Sequence, residues 1–372
     1  MLRLAAVFSF LIATVPCQGQ PIDLPVSPRV DTTQAEVAQV YDLWRAYLSA
    51  QPDSIRPSPY WSEAEQARYA DFDLSRRWTY GYVTNGFNIH DGLGIRPRVL
   101  SIEPAGDGYA VRTLYAPDDL TDFQGLYSIQ RVYAQREGGE WRLSNALPVL
   151  TRSWERRRVG MIEYVFPPDH PFDESAARRA AAFADSVMGR FGLTLDGPVE
   201  YYVAPTATEM ARISGLDYSW DPNDGRAYAE NRQVFVGTGQ EDYLHEIAHA
   251  LFGPLDTAQV LSEGLATYLG GFGTRSFEEA AADTAARLQS LPDLQLSDVL
   301  RGAAPDAETY YVTGAVLVEA VLEKGGPDLL RQFLALAQTP DGVYDGLREV
   351  LGVPPADAEA YWRQRVFSHG GD

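Results

Sequence analysis

The sequence GQEDYLHEIAHALFGP, residues 239–254 of the 372-residue chain, has the pattern of one short helix. Its apolar residues Leu244, Ile247 and Leu251 recur at steps of three and four, the spacing that places side chains on one helix face. Acidic residues precede this run and a Gly-Pro pair follows it, as is typical of the beginning and end of a helix. The stretch therefore predicts an amphipathic helix.

Two histidines, His245 and His249, lie four residues apart in this stretch, with Glu246 between them. Residues four apart lie one turn apart on one helix face, so both imidazoles can bind a single metal ion. Glu246 is rotated by one residue and reaches the space beside that ion, which is a place for a water. The alternative is a chance pair of surface or core histidines, and a chain with only five histidines rarely produces this spacing by chance. The pattern predicts a zinc site.

A third ligand is expected, because a catalytic zinc usually has three protein ligands and one position open to water. Glu263 lies at the beginning of a second amphipathic segment, which also contains Leu265, Ala266 and Leu269. Antiparallel packing of two short helices would bring the Glu263 carboxylate to the metal. The alternative is a solvated glutamate at the start of a helix.

Together, His245, Glu246, His249 and Glu263 resemble the motifs of the gluzincin zinc metallopeptidases, the peptidase MA-like group. In that family HExxH is followed by a glutamate in an E-G-x-A context, and the close match here covers about 30 residues. The resemblance implies one Zn²⁺ per chain, with the two histidines and Glu263 as ligands and Glu246 as general base, and peptide or protein substrates. Several gluzincins carry an acid four residues after the glutamate ligand, where it steadies a histidine. Thr267 stands at that position here, so the sequence leaves this partner unassigned.

A tyrosine is the candidate for stabilising the oxyanion that forms during hydrolysis. The segment Tyr310–Gly314 resembles the Y-x-x-G segment that supplies this tyrosine in many gluzincins, with Tyr311 in register. A core aromatic residue in an apolar helix is the alternative for Tyr311. The neighbouring Tyr310 is the alternative for the oxyanion contact.

A strand-like segment precedes the histidine helix. In gluzincins the last strand of the sheet is an edge that pairs with an extended peptide, so the same resemblance implies a substrate-binding role for this segment. The alternative is a strand that is paired on both sides within the sheet. The residues concerned are Gln233, Val234, Phe235 and Val236.

The composition limits the function classes. A hydrophobic content of 45% with 12% aromatic residues is ample for buried cores, and 372 residues fit two domains. The formal net charge of −20 argues against a nucleic-acid partner, because such binding depends on neutralising phosphates with Lys and Arg.

Residues 1–19 are expected to form a secretory signal peptide. Arg3 supplies the positive charge, Leu4–Val15 the apolar segment, and Cys17 and Gly19 the small residues before a cleavage site. We therefore expect an exported protein, periplasmic or extracellular, with a lipid anchor at Cys17 as the alternative. No later apolar run approaches the roughly 20 residues that a membrane span needs, so we expect no integral membrane segment in the mature chain. Cleavage after Gly19 would also remove the single cysteine, which excludes disulfides and thiol catalysis.

The N-terminal half predicts an α+β domain. Residues 20–29 are Pro-rich and form a flexible lead-in. Residues 30–155 begin with helical periodicity and continue with alternating segments separated by Asp-Gly and Gly-Gly pairs, which are hairpin signals. A helix followed by a curved antiparallel sheet resembles, in element order, the cone-like fold of the nuclear-transport-factor superfamily. The pair His90-Asp91 lies in a Gly-rich loop and is interpreted as a turn.

Residues 156–372 form the predicted metallopeptidase domain. Three strand-like segments precede the histidine helix, and mainly helical segments follow it. The predicted fold class is therefore α+β: a cone-like domain, then a small sheet with the zinc helix and a helical C-terminal subdomain. The boundary falls at Arg152–Arg158, whose four arginines we interpret as a solvated face.

Three functions from different classes follow from these patterns. The first is an exported zinc peptidase. The second is a binding or scaffold protein in which zinc is structural or the site is blocked. The third is a zinc hydrolase that acts on something other than peptides. Zinc content and cleavage of denatured proteins distinguish them.

Overall fold

A computed structural model of the chain describes residues 22–50, 57–70, 72–74, 95–117, 128–219 and 223–370. The chain divides into two compact units, the first composed of Met1–Arg68 with Val83–Ser144 and the second of Tyr69–Tyr82 with Asn145–Asp372. The predicted signal peptide and the predicted turn at His90 lie outside the described residues.

The first unit combines helices with an antiparallel sheet. Its helices are α1 (Ala35–Ser49) and α2 (Glu63–Arg68). Four strands are described in this unit, and consecutive strands pair antiparallel. They are β1 (Ile95–Ala105), β2 (Gly108–Pro117), β3 (Ser128–Glu137) and β4 (Glu140–Ser144).

Local sequence explains both the hairpins and the helix packing in this unit. Gly138 and Gly139 both have positive φ, as the tight turn between β3 and β4 requires. One face of α1 is buried, and the Trp44 indole Nε1 on that face donates a hydrogen bond to Thr113 Oγ1 of β2 at 2.9 Å. This bond satisfies the indole N–H of a fully buried side chain.

The second unit contains a mixed sheet. Its strands are ordered β5-β6-β7-β10-β9, with β6, β7 and β10 mutually parallel and the two outer strands antiparallel to their neighbours. A further strand, β8, lies between β7 and β9 in the chain. The strands are β5 (Glu155–Val159), β6 (Ile162–Phe166), β7 (Val199–Val203), β8 (Leu216–Ser219), β9 (Gly225–Tyr228) and β10 (Gln233–Val236).

The predicted substrate strand is not at the edge of this sheet. Gln233–Val236 forms β10, which pairs with β7 on one side and with β9 on the other, and all four of its residues are buried. Both rows of backbone groups are therefore occupied, and the prediction that this strand binds a peptide is wrong. The outer strand is β9, whose sequence Gly-Arg-Ala-Tyr has no alternating apolar pattern by which it could have been found.

Helices make up most of the regular secondary structure described in the second unit. In the described ranges, three of them, α3 to α5, precede β8 in the chain, and seven, α6 to α12, follow β10. They are α3 (Ala146–Leu150), α4 (Glu174–Phe191), α5 (Ala207–Ile213), α6 (Leu244–Phe252), α7 (Gln259–Gly270), α8 (Phe277–Gln289), α9 (Leu296–Leu300), α10 (Ala307–Leu336), α11 (Pro340–Gly346) and α12 (Ala358–Phe367). Helix α10 is kinked at Gly325 and Gly326, whose backbone angles are not helical. The fold class is thus α+β, with antiparallel strand pairing and a helical C-terminal region.

The structure divides the chain near, but not at, residue 155. Helix α3 groups with the second unit, where Leu147 joins a buried cluster with Tyr202 and Phe235 of the sheet. The segment at Leu74 also belongs to this unit, since Tyr228 donates its hydroxyl to the Leu74 carbonyl at 2.6 Å.

The arginine-rich boundary segment forms the outer strand β5. Its five residues are largely exposed, and their charges are compensated locally. Arg156 pairs with Glu163 at 2.7 Å and Arg157 with Glu174 at 3.3 Å. These ion pairs agree with a solvated face. Within the described ranges, no helix is both long and apolar enough to cross a membrane.

Candidate active site

The histidine helix α6 is held at its beginning by the sheet. Tyr201 of β7 accepts a hydrogen bond from the Tyr243 amide at 3.1 Å and donates its own hydroxyl to the Gln240 carbonyl at 2.8 Å. Tyr164 of β6 donates to the Glu241 carbonyl at 3.1 Å. Two buried tyrosines therefore fix the chain where α6 begins, and with it the position of His245.

Helices α7 and α10 cross at very close range beside α6. A Cβ added to Gly264 would overlap the backbone of Gly314, and one added to Gly314 would overlap the Val260 carbonyl. Only glycine at both positions allows the two backbones to approach this closely. Glu263 precedes the first of these glycines and Tyr311 lies one turn before the second, so the crossing places both side chains next to α6.

Three ligand-type side chains meet at this point. His245 Nε2, His249 Nε2 and Glu263 Oε2 are each 3.3 Å from the other two. Among the described residues they form the one group of three or more His, Cys, Asp or Glu side chains able to hold a metal ion. The structure therefore brings together the three residues that the sequence singled out as ligands.

The arrangement fits a zinc ion. An ion about 2.0–2.1 Å from each of three atoms that are 3.3 Å apart would have ligand–metal–ligand angles of about 107°, close to the tetrahedral value. Two imidazoles and one carboxylate are also a donor set of catalytic zinc sites. His245 is buried, whereas the His249 and Glu263 side chains remain 16% and 17% exposed, so the site opens on one side.

The tautomer of His245 follows from its other ring nitrogen. His245 Nδ1 lies 3.0 Å from the main-chain carbonyl of Gly271, which can only accept a hydrogen bond. Nδ1 therefore carries the proton, and the neutral ring turns the Nε2 lone pair towards His249 and Glu263. Sequence reasoning missed this partner, because it depends on where the end of α7 lies.

Charge and burial act in opposite directions at this site. Burial alone raises the pKa of the Glu263 carboxyl, but hydrogen bonds with His245 and His249 hold that pKa well below its usual value. Burial lowers the pKa of His245. The hydrogen bond with Glu263 and the negative charges of Glu246 and Glu263 raise this pKa by more, so the net shift is upward. The Glu263 carboxyl is therefore ionised, and its negative charge favours a cation beside it.

Glu246 lies beside the ligand group and against strand β9. A Cβ on Gly225 of β9 would come within 3.0 Å of Glu246 Cγ and 3.1 Å of Glu246 Oε1. The same Cβ would be 2.9 Å from the Tyr243 ring. Burial, followed by the charges of Glu246 and Asp224, raises the pKa of Tyr243 to about 12, so this side chain stays a neutral phenol. The role of Gly225 was not evident in the sequence, since it depends on the contact between strand and helix.

Tyr311 and Tyr310 occupy different surroundings. The Tyr311 ring stacks on His245 with centroids 5.6 Å apart and an angle of 9° between the planes. Burial raises its pKa, as do the charges of Glu263 and Glu246 and a hydrogen bond with Glu263. Burial, followed by the charge of Glu263, raises the pKa of Tyr310 to about 12. A hydrogen bond with the backbone of Val260 acts in the opposite direction. Tyr311 thus lies directly against His245, one of the three grouped side chains.

Comparison with known proteins finds distant similarity among solved structures. No family model matches the sequence, and no curated protein matches it in a sequence search. Among solved structures, a mutant M1 zinc metallopeptidase from Deinococcus radiodurans, bound to a Tyr-Ser-Ala substrate, is 16% identical with a TM-score of 0.36. The match covers 74% of this chain and 61% of that one, so the chain spans less than two thirds of the matched structure. At this level of similarity, the match assigns no function to the chain.

Proposed function

We propose that the protein is a zinc-dependent peptidase in which His245, His249 and Glu263 hold the metal and Glu246 is the general base. One observation carries the proposal: the three ligand atoms lie 3.3 Å apart, and the Glu246 carboxylate follows His245 on the helix that holds both histidines. A structural zinc site is normally closed by four protein ligands, whereas three ligands leave a position for chemistry.

The reaction is hydrolysis of a peptide bond. Zinc, when bound, lowers the pKa of water and polarises the carbonyl of the substrate. Glu246 accepts one proton as the water oxygen forms a bond with the carbonyl carbon. Glu246 then gives that proton to the amide nitrogen as the C–N bond breaks, so the products are a carboxylic acid and an amine.

Tyr311 is proposed to stabilise the negative charge on the former carbonyl oxygen. Its pKa is raised above that of an ordinary tyrosine, so the phenol keeps its proton and can donate a hydrogen bond. Such a bond is strongest when the oxygen becomes an anion, and it therefore favours the transition state over the bound substrate.

Strand β9 is proposed to bind the main chain of the substrate. In the described part of the sheet, β9 pairs with β10 on one side and is the last strand in the order. A peptide added to its outer side would be a further strand of the sheet. Gly225 places the backbone of β9 against Glu246, so a peptide bound there would lie near the proposed base.

Export is part of the same proposal, on the basis of the signal-like pattern in residues 1–19. Expression with the full N-terminus, followed by N-terminal sequencing of the secreted or periplasmic product, tests it. Cleavage after Gly19 supports export. An intact N-terminus on a cytoplasmic protein would contradict it.

The decisive experiment compares wild type with Glu246→Gln. Both proteins are measured for zinc content and for cleavage of a denatured protein library by mass spectrometry. We expect one zinc per chain in both, and a loss of turnover of at least about 10³-fold in the variant, because the amide cannot accept the proton. Undiminished cleavage by the zinc-loaded variant would contradict the role of Glu246.

The same measurements separate the two other functions. Tightly bound zinc without cleavage of any substrate by wild type favours a binding or scaffold protein. Hydrolysis of small esters or amides without cleavage of any peptide favours a zinc hydrolase of another substrate class.

A further inference from the structure

The partner of His245 is a main-chain group. The carbonyl of Gly271, a buried residue that caps the end of α7, lies 3.0 Å from His245 Nδ1. A hydrogen bond of this kind fixes the rotation of the imidazole ring about its Cβ–Cγ bond and selects the tautomer that binds metal. The orientation of one proposed ligand is therefore controlled from a different helix.

Two adjacent glycines shape this contact. A Cβ on Gly270 would come within 2.5 Å of the His245 amide nitrogen, so the end of α7 touches the beginning of α6. Gly271 itself has φ +82° and ψ −169°, a conformation that is essentially restricted to glycine. A Cβ there would also overlap the Arg275 carbonyl. Side chains are thus excluded at both positions by backbone contacts.

The turn after Gly271 is closed by its own backbone hydrogen bonds, and an ion pair links it to α10. Phe272 and Arg275 exchange backbone hydrogen bonds of 3.0 and 3.1 Å. The Arg275 guanidinium donates to both carboxylate oxygens of Glu308, at 3.0 and 2.7 Å. Glu308 is 8% exposed, and a two-pronged arginine–carboxylate pair of this kind has a defined geometry. The carbonyl of Gly271 is therefore held in place by a rigid turn.

Thr267 does not take this role. It is fully buried, and its Oγ1 has no hydrogen-bond partner in the part of the chain that the structure describes. Its main-chain carbonyl accepts the Gly271 amide at 2.8 Å, as a helix end requires. The hydroxyl at the position where an acid is expected is thus not engaged with the site.

We propose that the main-chain carbonyl of Gly271 is the group that orients His245 for metal binding, in place of a side-chain acid. The inference rests on the metal-binding role proposed above for His245. It assigns Gly270 and Gly271 as positioning residues, since they act on the metal only through His245. Removing a partner of a metal-bound histidine typically lowers metal affinity by about 10- to 100-fold.

The experiment measures zinc affinity of the full chain by competition with a chromogenic chelator. We expect Gly271→Ala to weaken zinc binding by about 10- to 100-fold relative to wild type. Gly253→Ala is the matched control, because Gly253 ends α6 with nearly the same backbone angles, φ +69° and ψ −167°, and its added Cβ meets no atom within 4 Å. Thr267→Val tests the alternative partner. Both controls should bind zinc within about twofold of wild type, an effect far below the loss of a histidine partner.

A second measurement needs no variant. Nitrogen-15 NMR of the zinc-loaded wild type, with only five histidines to assign, reports which ring nitrogen of His245 carries a proton. We expect a protonated Nδ1. The inference would be overturned if Gly271→Ala bound zinc with wild-type affinity. It would also be overturned if Thr267→Val or Gly253→Ala lost as much zinc affinity as Gly271→Ala, or if His245 Nδ1 were unprotonated. A wild type that fails to bind zinc would instead overturn the proposed function, so the two failures are distinguishable.

Discussion

At the scale of single residues, Tyr311 makes the sharpest prediction. Its ring stacks on His245, whereas Tyr310 points to the backbone at Val260. If the Tyr311 hydroxyl binds the oxyanion, Tyr311→Phe should lower kcat by about 10²- to 10³-fold with little change in KM, because the contact forms mainly in the transition state. Steady-state kinetics of a defined peptide measure the effect.

Tyr310→Phe is the control for this prediction. It removes the neighbouring hydroxyl from the same helix turn, and kcat should stay near the wild-type value. Zinc content and melting temperature should hold in both variants, since phenylalanine keeps the ring. If Tyr310→Phe is inactive and Tyr311→Phe is active, the oxyanion donor is Tyr310 and the motif register is displaced by one residue. If both stay active, the oxyanion donor lies elsewhere.

Gly225 carries a second prediction at this scale. Gly225→Ala would push a methyl group against the Glu246 carboxylate and the Tyr243 ring, which lie about 3 Å from the position of the added Cβ. We expect kcat/KM to fall by about 10- to 100-fold, because small displacements of a general base are costly. Gly197→Ala is the control, since its added Cβ meets no atom within 4 Å. Equal activity of the two variants would show that β9 does not position Glu246.

The contrast between these residues explains what sequence could predict about the site. His245, Glu246 and His249 were identifiable because their relation is local, fixed by one helical turn. Gly225 and Gly271 act through contacts with other elements, and a single glycine carries no chemical signal of its own. The proposed reacting groups can therefore be identified from the sequence, whereas the residues proposed to position them cannot.

At the scale of elements, the crossing of α7 and α10 explains two motifs at once. The glycine after Glu263 and the glycine three residues after Tyr311 pack against each other's backbone. Gly314→Ala should destabilise the protein by about 1–3 kcal/mol, because the added methyl group forces the helices apart. It should also weaken zinc binding, since Glu263 moves with α7. Chemical denaturation and zinc titration measure the two effects.

The control for this prediction is the same substitution in another helix. Gly189 lies on the exposed side of α4, and its added Cβ meets no atom within 4 Å. Gly189→Ala should stabilise the protein by about 0.5–1 kcal/mol through helix propensity alone. Stabilisation by both substitutions would contradict a close crossing at Gly314.

At the element scale, the sequence predicts the wrong place in the sheet for the strand Gln233–Val236. The apolar segment Gln233–Val236 was recognisable as a strand, but its place in the sheet depends on β9, which lacks alternation. A short strand that begins with glycine and arginine has little β-propensity of its own. It is held by pairing with β10 and by contact with α6, and both are tertiary effects.

The packing of α12 on α10 gives a prediction about acid stability. Burial raises the pKa of Glu319, but hydrogen bonds with His369 at 3.0 Å and Arg365 at 2.6 Å hold that pKa below its usual value. A carboxyl with a lowered folded-state pKa contributes stability that is present above its unfolded pKa of about 4.3 and is lost as pH falls through the folded value. Glu319→Gln should therefore be less stable than wild type at pH 7, with a smaller difference at pH 3.

Glu323→Gln is the control for that prediction. Glu323 also pairs with Arg365, at 2.9 Å, but its side chain is 58% exposed. An exposed ion pair contributes little, so the urea midpoints of this variant and wild type should agree at both pH values. A Glu319→Gln variant that matches wild type at pH 7 would contradict the assignment.

At the scale of the whole molecule, the proposed metal site lies entirely within the second unit. All three ligands belong to α6 and α7, and the residues that position them belong to α10, the sheet and the turn after α7. This unit also contains the larger buried cluster, which joins the sheet with α4, α6, α7, α8 and α10. Metal binding and folding of this unit should therefore be linked, because an ion that binds only the folded state stabilises it.

Removal of zinc is the experiment that tests this linkage. With free zinc at about 1,000 times its dissociation constant, the stabilisation is about 4 kcal/mol, and a chelator should lower the melting temperature of the second unit by several degrees. Amide hydrogen exchange, read by unit, should show loss of protection around α6 and α7 and unchanged protection in β1–β4. Glu246→Gln should respond to chelation as wild type does, because Glu246 is not a ligand, whereas His249→Ala should show little response. An equal effect of chelation on both units, or an undiminished response in His249→Ala, would contradict a single zinc site held by these three residues.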